Sequence, residues 1–272
     1  MNDSTESGSS DGIELPNTEQ LFRVDGQVAL VTGAGSGIGR MAARVLARAG
    51  AVAIATDIND EAAQATADEI VAEGLKGAAY GMDVSSETQI VDVFAKVQKT
   101  HGPVDILVNN AGITIRSPTE KATLKDWQRV VDINLTGVFL CAREAGKQML
   151  PRGKGSVINI SSIWGHAGGG YSGNPSYHAT KGAVISLTRA LAVEWGPRGV
   201  RVNDIAPTFL KTKITEPLFS NPELHRELSE FTPLRRTGTP ADLAGAILYL
   251  ATPASSLVTG TSLRVDGGWT AR

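Results

Sequence analysis

Residues 33–40 read Gly-Ala-Gly-Ser-Gly-Ile-Gly-Arg, directly after the short apolar run Val28–Thr32. Met41, Val45 and Leu46 then follow at the spacing of an amphipathic helix. A glycine-rich turn between a strand and a helix lets the backbone approach a pyrophosphate, whose charge is stabilised by the N–H groups at the helix N-terminus. The stretch therefore predicts a dinucleotide-binding turn. The residues expected to contact the cofactor in this turn are Gly33, Ser36, Gly37, Ile38 and Gly39.

The end of the second apolar run bears on the choice between NAD and NADP. Val52–Thr56 leads into Asp57, which lies 18 positions beyond Gly39. A carboxylate at this place can accept hydrogen bonds from the adenine ribose and would repel a 2′-phosphate. Neither position 36 nor position 58, which is Ile58, carries a compensating cation. Asp57 together with Ile58 therefore favours NAD over NADP. Arg40 is the residue able to reach a phosphate if NADP binds instead.

The rest of the chain continues an alternation of apolar runs and helix-period segments. Most of the runs lack in–out alternation, which is typical of strands buried on both faces of a parallel sheet. The predicted strands are Val28–Thr32, Val52–Thr56, Ala78–Met82, Ile106–Asn109, Val157–Ile160, Val202–Ile205 and Ser262–Val265. The pattern predicts an α/β fold, a doubly wound parallel sheet with helices on both faces.

The same pattern predicts a single domain over residues 23–272, because no linker interrupts it. Residues 1–22 are acidic and rich in serine and glycine, which predicts a disordered tail. Residues 207–238 hold four prolines and only a short helical pattern around Glu223–Phe231. A long irregular segment at the carboxyl edge of such a sheet is typical of a substrate lid.

Composition excludes several classes of function. Lys plus Arg is 26 against 28 for Asp plus Glu, so the surplus of positive charge that a nucleic-acid groove needs is absent. The single cysteine excludes an intramolecular disulfide, and the four histidines are too scattered for a metal site. The acidic start and the lack of a long apolar stretch predict a cytoplasmic protein without a membrane span.

A small group of polar residues carries the candidate chemistry. Tyr177 and Lys181 are four residues apart in a helical segment and therefore share one helix face. A phenol has a pKa of about 10, and a neighbouring ammonium would favour its phenolate form. Ser162 follows a predicted strand shortly before Tyr177, and Asn134 lies within an apolar helical pattern, where its amide needs hydrogen-bond partners.

These motifs together resemble the short-chain dehydrogenase/reductase family over residues 26–272. Each motif is weak alone, but their order along the chain is highly specific. The matching pieces are Thr32–Gly39, Asp83 with Val84, Asn109–Gly112, Asn134, Ser162, Tyr177 with Lys181, and Pro207 with Thr212. The resemblance implies a Rossmann-type sheet, a nicotinamide cofactor, carbonyl–alcohol redox chemistry and a homotetramer.

The resemblance also implies a catalytic set. Tyr177 would be the general acid/base at the substrate oxygen, and Ser162 would hydrogen-bond that oxygen. Lys181 would lower the pKa of the phenol and bind the nicotinamide ribose. Asn134 would hold a water that links Lys181 to solvent.

Further cofactor contacts follow from the same resemblance. Asp83 and Val84 would meet the adenine, and Asn110 the adenosine ribose. The Leu210 backbone and Thr212 would meet the carboxamide.

Two departures from the family pattern concern the substrate side. Position 208 is Thr where the family usually has Gly, so a β-carbon enters the start of the lid. Ser162 and Tyr177 stand two residues further apart than is common, which we interpret as an insertion at residues 168–171. If the insertion lies elsewhere, Ser161 takes the role given to Ser162.

The leading functional hypothesis is an NAD-dependent oxidoreductase that interconverts a secondary alcohol and a ketone, with a small polyol, sugar or sugar acid as substrate. The same catalytic pair would serve a reductase of 3-oxoacyl thioesters or of cyclic or steroid ketones, and apolar residues near the lid such as Phe209 and Phe219 favour that alternative. A catalytically silent NAD-binding regulator is the alternative of another class. Such a regulator is expected to lack at least one of the four catalytic residues, and all four are present.

Overall fold

A computed structural model describes residues 16–169, 173–212 and 215–272. In these residues seven strands form one sheet in the order β3-β2-β1-β4-β5-β6-β7, with every pair parallel. The strands are β1 Val28–Thr32, β2 Val52–Asp57, β3 Gly77–Gly81, β4 Val104–Asn109, β5 Gly155–Ile160, β6 Val200–Pro207 and β7 Ser262–Val265. The doubly wound parallel sheet is confirmed. The order reverses between β1 and β4, which is the place where open α/β sheets bind ligands.

Helices cover both faces of the sheet. They are α1 Thr18–Leu21, α2 Gly37–Arg48, α3 Asp60–Ala72, α4 Glu87–His101, α5 Leu124–Val131, α6 Gly137–Met149, α7 Pro175–Trp195, α8 Glu216–Phe219, α9 Pro222–Phe231 and α10 Ala244–Ala251. One buried core joins the sheet to α2 and α10 through side chains such as Leu46 and Ile247. The other core joins it to α4, α6 and α7 through Phe94, Met149 and Leu191. The two cores leave the strand ends free to form a site.

The stretch predicted as a disordered tail, residues 1–22, overlaps a short helix at its C-terminal end. Residues 1–15 lie outside the described part of the chain, but α1 lies within the stretch assigned to the tail. Asn17 begins this helix because its Oδ1 accepts a hydrogen bond from the Glu19 N–H at 2.9 Å. No helix in the described residues combines the length and apolar character needed to cross a membrane.

The two ends of the segment predicted as a lid are joined to each other. Leu210 and Gly238 form an isolated parallel bridge, with the Lys211 N–H donating to the Gly238 carbonyl at 3.0 Å. Between these two points lie α8 and α9, and the predicted helical pattern at 223–231 corresponds to α9. The segment therefore begins and ends close to the carboxyl end of β6.

Candidate active site

The glycine turn between β1 and α2 has the shape that a pyrophosphate requires. Gly37 has φ +55°, and the nearest atom to an added Cβ would be Thr212 Cγ2 at 3.5 Å, so the space above it is open. A Cβ on Gly39 would overlap the carbonyl oxygen of Gly33. Ser36 is the N-cap of α2, but its side chain makes no capping hydrogen bond. The first N–H groups of α2 therefore lack a side-chain acceptor from the cap, which suits an anionic ligand.

Asp57 lies beside this turn, at the end of β2. Its carboxylate accepts hydrogen bonds from the N–H groups of Gly35 and Asn59, each at 2.9 Å, while the next side chain, Ile58, is 73% exposed. Arg40 points the other way, because it forms an ion pair with Glu69 of α3, with Nε 3.0 Å from Oε2. A negative charge therefore borders the turn where an adenine ribose would lie.

The other expected adenosine contacts lie on the loops after β3 and β4. Asp83 Oδ1 accepts a hydrogen bond from the Ser85 N–H at 2.8 Å, and Val84 is buried. Asn110 holds the glycine turn itself, because its Nδ2 donates to the carbonyls of Thr32 and Gly33 at 2.9 and 3.0 Å. The amide group of Asn110 is thus a brace between β4 and β1.

Ser162, Tyr177 and Lys181 meet at the carboxyl ends of β5 and β6. Lys181 is 5% exposed, its Nζ donates to the carbonyl of Ile160 at 2.7 Å and lies 5.5 Å from the centroid of the Tyr177 ring. Tyr177 opens α7, and a hydrogen bond with Ser162 favours its phenolate form. Ser161 faces away, because its hydroxyl bonds Asp204 of β6. The geometry brings together the three residues that the sequence selected, with Ser162 rather than Ser161 beside Tyr177.

Burial has the largest effect on the pKa of the Tyr177 phenol. Burial raises the pKa of Tyr177 above its usual value, and the hydrogen bond from Ser162 only opposes this effect. Burial also lowers the pKa of Lys181 to about 8. Both shifts have one physical cause, since a site with little water disfavours the charged form of either group.

Asn134 lies in a π-helical turn, Asp132–Thr136, which the periodicity did not predict. The side chain is fully buried, its Oδ1 accepts from the Ile113 N–H and its Nδ2 donates to the Ile113 carbonyl, both at 2.9 Å. A Cβ on Gly112 would lie 3.3 Å from Asn134 Oδ1 and 3.7 Å from Lys181 Nζ. The missing side chain at position 112 is what lets the loop after β4 pass so close to both residues.

An aromatic cluster is built partly from residues close in sequence to Ser162 and Leu210, which line the cleft. Trp164, which follows Ser162 in a 3₁₀ turn, has its ring centroid 5.7 Å from that of Phe209 and 6.2 Å from that of Trp269. Phe231 of α9 lies 4.3 Å from Trp269, so the C-terminus holds the lid against this cluster. Sequence reasoning missed Trp269, and only its place after the last strand could have pointed to it.

The cleft between the glycine turn and the lid contains the two expected carboxamide contacts. Leu210 and Thr212 line it together with Ser162, Tyr177 and Lys181. Thr208 lines it too, and its hydroxyl is buried with no hydrogen-bond partner among the described residues. Thr208 does not have a positive φ, so Thr fits there without backbone strain. In the proposed insertion, Gly170 and Tyr171 lie outside the described residues.

Arg116 is a functional candidate that the sequence did not reveal. It lies on the loop after β4, four positions beyond Gly112, and its side chain is exposed. Its charge is close enough to Tyr177 to lower the pKa of that phenol, against the effect of burial. Its position near the carboxyl edge of the sheet is the one signal that the sequence offered. A cation therefore borders the place where the substrate oxygen would lie.

Comparison with known proteins agrees with this geometry. A family model described as enoyl-(acyl carrier protein) reductase matches residues 33–270. Gluconate 5-dehydrogenase of Gluconobacter oxydans is 39% identical over 250 residues, which cover 92% of this chain and 97% of that protein. The chain belongs to the short-chain dehydrogenase/reductase family.

Two further relatives show the range of chemistry in this family. A 3-oxoacyl-[acyl-carrier-protein] reductase of Synechocystis is 41% identical over 244 residues, which cover 89% of this chain and 96% of that protein. A crystal structure of gluconate 5-dehydrogenase from Burkholderia cenocepacia, in complex with NADP and tartrate, has a TM-score of 0.90 at 36% identity and covers 94% of this chain and 100% of that one. As a short-chain dehydrogenase/reductase, the chain is an NAD(P)-dependent oxidoreductase that acts on alcohols and ketones.

Proposed function

We propose that the protein oxidises a secondary hydroxyl of a small sugar acid or polyol to a ketone, and reduces the ketone in reverse, with NAD as the preferred cofactor. The observation that carries the substrate class is Arg116, an exposed residue of the loop after β4 whose positive charge acts on Tyr177. A guanidinium there suits a substrate carboxylate, which it can bind in bidentate geometry.

The proposed mechanism assigns one task to each polar residue. A bound nicotinamide cofactor supplies the hydride acceptor or donor. Ser162 donates a hydrogen bond to the substrate oxygen, and Tyr177 takes the hydroxyl proton as the carbon loses hydride. Lys181 binds the nicotinamide ribose, and its ammonium favours the phenolate form of Tyr177. Asn134 fixes the loop after β4 beside Lys181 and lies where a water would link that lysine to solvent.

The preference for NAD is supported by the charges around the glycine turn. The Asp57 carboxylate borders the ribose position and would repel a 2′-phosphate. The nearest arginine, Arg40, is engaged by Glu69 and carries no free charge toward that position. Binding of NADP by the Burkholderia relative makes the NAD/NADP ratio a necessary measurement for this chain.

We also propose a role for the lid, an oligomeric state and a cellular compartment. We expect the segment 207–238 to close over bound substrate, because it joins the cleft to the aromatic cluster. Exposed apolar side chains on α5 and α6, among them Trp127 and Phe139, support a homotetramer. The one cysteine, Cys141, is fully buried and unpaired, which agrees with a reducing cytoplasm.

The test compares anionic with neutral substrates. Purified protein is assayed with NAD against gluconate-type sugar acids and polyols of the same chain length, and NADH is followed by absorbance. Arg116→Ala should raise KM for the acids about tenfold to a hundredfold, as expected for a lost hydrogen bond between charged groups, and change KM for the polyols little. Arg129→Ala, on the exposed face of α5, is the matched control. Equal effects on acids and polyols would contradict the role of Arg116.

A second candidate function is the reduction of a 3-oxoacyl thioester. The aromatic cluster around Trp269 favours it, because an acyl chain would bury apolar surface there. The same assay, run in the reductive direction with a 3-oxoacyl thioester, separates the two candidates. Turnover of the thioester with no turnover of any sugar acid or polyol would replace the first proposal by the second.

A further inference from the structure

A buried carboxylate lies directly behind the active site. Asp204 of β6 is fully buried, and its Oδ1 accepts hydrogen bonds from the hydroxyls of Ser161 and Ser262, the latter at 2.6 Å. Its Oδ2 is buried and has no hydrogen-bond partner among the described residues. Burying a carboxylate with one oxygen unsatisfied is costly, and such a group calls for an explanation in terms of function.

The carboxylate connects two parts of the site. Ser161, one of its two donors, directly precedes Ser162, and its N–H also bonds the Ile205 carbonyl on β6 at 2.9 Å. On the other side, Lys181 Nζ donates to the carbonyl of Ile160, the residue directly before Ser161, and the charge of Asp204 raises the pKa of Lys181 against the effect of burial. Asp204 therefore acts on the residue that holds the substrate oxygen and on the residue that holds the nicotinamide ribose.

A short path leads from Asp204 to the surface. His166 Nε2 lies 2.8 Å from Ser262 Oγ, and the His166 side chain is exposed. Because the Ser262 hydroxyl donates its one proton to Asp204, Nε2 must carry a hydrogen and donate it to Ser262. The path connects one titratable surface group to the buried carboxylate through the Ser262 hydroxyl.

Several charged groups besides Lys181 face Asp204 or His166. Burial raises the pKa of Asp204, whereas the two serine hydroxyls and the positive side chains lower it. Burial lowers the pKa of His166 below its usual value, so the imidazole is neutral above pH 7. The charged groups that face Asp204 or His166 are Lys181 and Arg189 on α7, and Arg264 and Asp266 at the end of β7.

We propose that Asp204 is a positioning residue, an anion that keeps the Lys181 ammonium charged next to the nicotinamide ribose and holds the Ser161–Ser162 strand end in place. The inference rests on the roles proposed above for Ser162 and Lys181. It adds a buried counter-charge that those roles do not include.

The test titrates Lys181 directly, without cofactor. The protein is produced with lysine labelled with ¹³C at Cε, and the Lys181 signal is assigned by its absence in Lys181→Met. In wild type this signal should titrate near pH 8. In Asp204→Asn, which keeps the shape and removes the charge, it should titrate lower, by on the order of one unit. NAD affinity measured by calorimetry should then fall roughly fivefold at pH 8, and little at pH 6.5, where the lysine is charged in both proteins.

Two controls separate this role from a structural one. His166→Gln should leave the Lys181 titration unchanged, since the imidazole is already neutral in that range. The melting temperature of Asp204→Asn should stay equal to that of wild type or rise, because a neutral amide is less costly to bury than a carboxylate. If Asn does not pack, the smaller neutral variant Asp204→Ser serves in its place.

The outcomes distinguish the two proposals. Titration of Lys181 at the same pH in wild type and in the neutral variant overturns the inference, whatever the activity. A downward shift of Lys181 supports it even if wild type turns over none of the substrates tested, in which case the proposed function alone fails.

Discussion

The two halves of the sheet, a cofactor side and a substrate side, form their ligand sites by different means. On the cofactor side, β3-β2-β1-β4, the site is built from backbone, and a Cβ at Gly33 or Gly39 would overlap neighbouring main-chain atoms. On the substrate side, β5-β6-β7, the site is built from side chains, namely Ser162, Tyr177 and Lys181. The first site depends on the closeness of two chain segments, and the second on the chemistry of a few groups.

The difference has an energetic consequence. Where a turn leaves no room for a β-carbon, a substitution must lower stability and cofactor affinity together. Where a polar side chain is packed among other side chains, a substitution that keeps its shape removes the reactive group and leaves the packing unchanged. Cofactor binding is therefore tied to folding in this protein, whereas catalysis is separable from it.

The largest expected effect lies on the substrate side. Tyr177→Phe should lower kcat/KM by about 10²–10⁴, the usual contribution of a general acid/base, because no other group at the substrate oxygen can take its proton. The free energy of unfolding should stay within about 1.5 kcal/mol of wild type, since only one hydroxyl is lost. Steady-state kinetics and urea unfolding check both values.

Tyr80→Phe is the matched control, because that hydroxyl bonds His101 at the edge of the sheet, 2.9 Å away. It should leave kcat/KM unchanged. A Tyr177→Phe protein that keeps a tenth of the activity would exclude Tyr177 as the general base.

The second effect is a pH dependence of stability due to Lys181. Burial lowers its pKa from 10.5 to about 8, so between these values the unfolded chain binds more protons than the folded one. Stability must then rise with pH over this range relative to Lys181→Met, by about 3 kcal/mol in total, and be independent of pH below about 7. Urea unfolding of both proteins between pH 6.5 and 10.5 measures the difference. Lys96→Met, at an exposed position of α4, should show no such slope.

The third effect lies on the cofactor side. Gly39→Ala should lower the free energy of unfolding by about 1–3 kcal/mol, because its Cβ would overlap the Gly33 carbonyl, and NAD affinity should fall with it. Gly245→Ala in α10 is the matched control, since a Cβ there meets nothing within 4 Å. That variant should gain about 0.5–1 kcal/mol. Loss of NAD affinity in Gly39→Ala without loss of stability would break the link between binding and folding.

The difference between a site built from backbone and one built from side chains also explains which features could be predicted from the sequence. The glycine turn, Asp57 and the strands were readable, because backbone geometry imposes residue types at fixed spacing. The strand limits were accurate at β1 and β7, while β6 is four residues longer than its apolar run suggests. The π turn at Asn134 was not readable, since its residues keep a helical pattern and only the backbone bonds differ.

On the substrate side, less could be predicted about the surroundings of each group. Tyr177 and Lys181 were identified by their spacing, but the effect of burial on the pKa of Tyr177 could not be predicted, because burial is a property of the assembled site. Arg116, Asp204 and Trp269 come from three distant parts of the chain. No local pattern connects them, so their roles appear only once the fold brings them together.

The smallest expected effect concerns Asp57, the charged side chain beside the glycine turn. Asp57→Asn keeps an oxygen for the Gly35 N–H, loses the acceptor of the Asn59 N–H and removes the charge that would repel a 2′-phosphate. The ratio of kcat/KM with NAD to that with NADP should therefore fall about tenfold, or ~1.4 kcal/mol, and the free energy of unfolding should fall by about 0.5–1.5 kcal/mol for the lost hydrogen bond. Glu61→Gln, which removes an exposed charge in the first turn of α3, should leave the ratio as it is. An unchanged ratio in Asp57→Asn would mean that the backbone of the turn alone selects the cofactor.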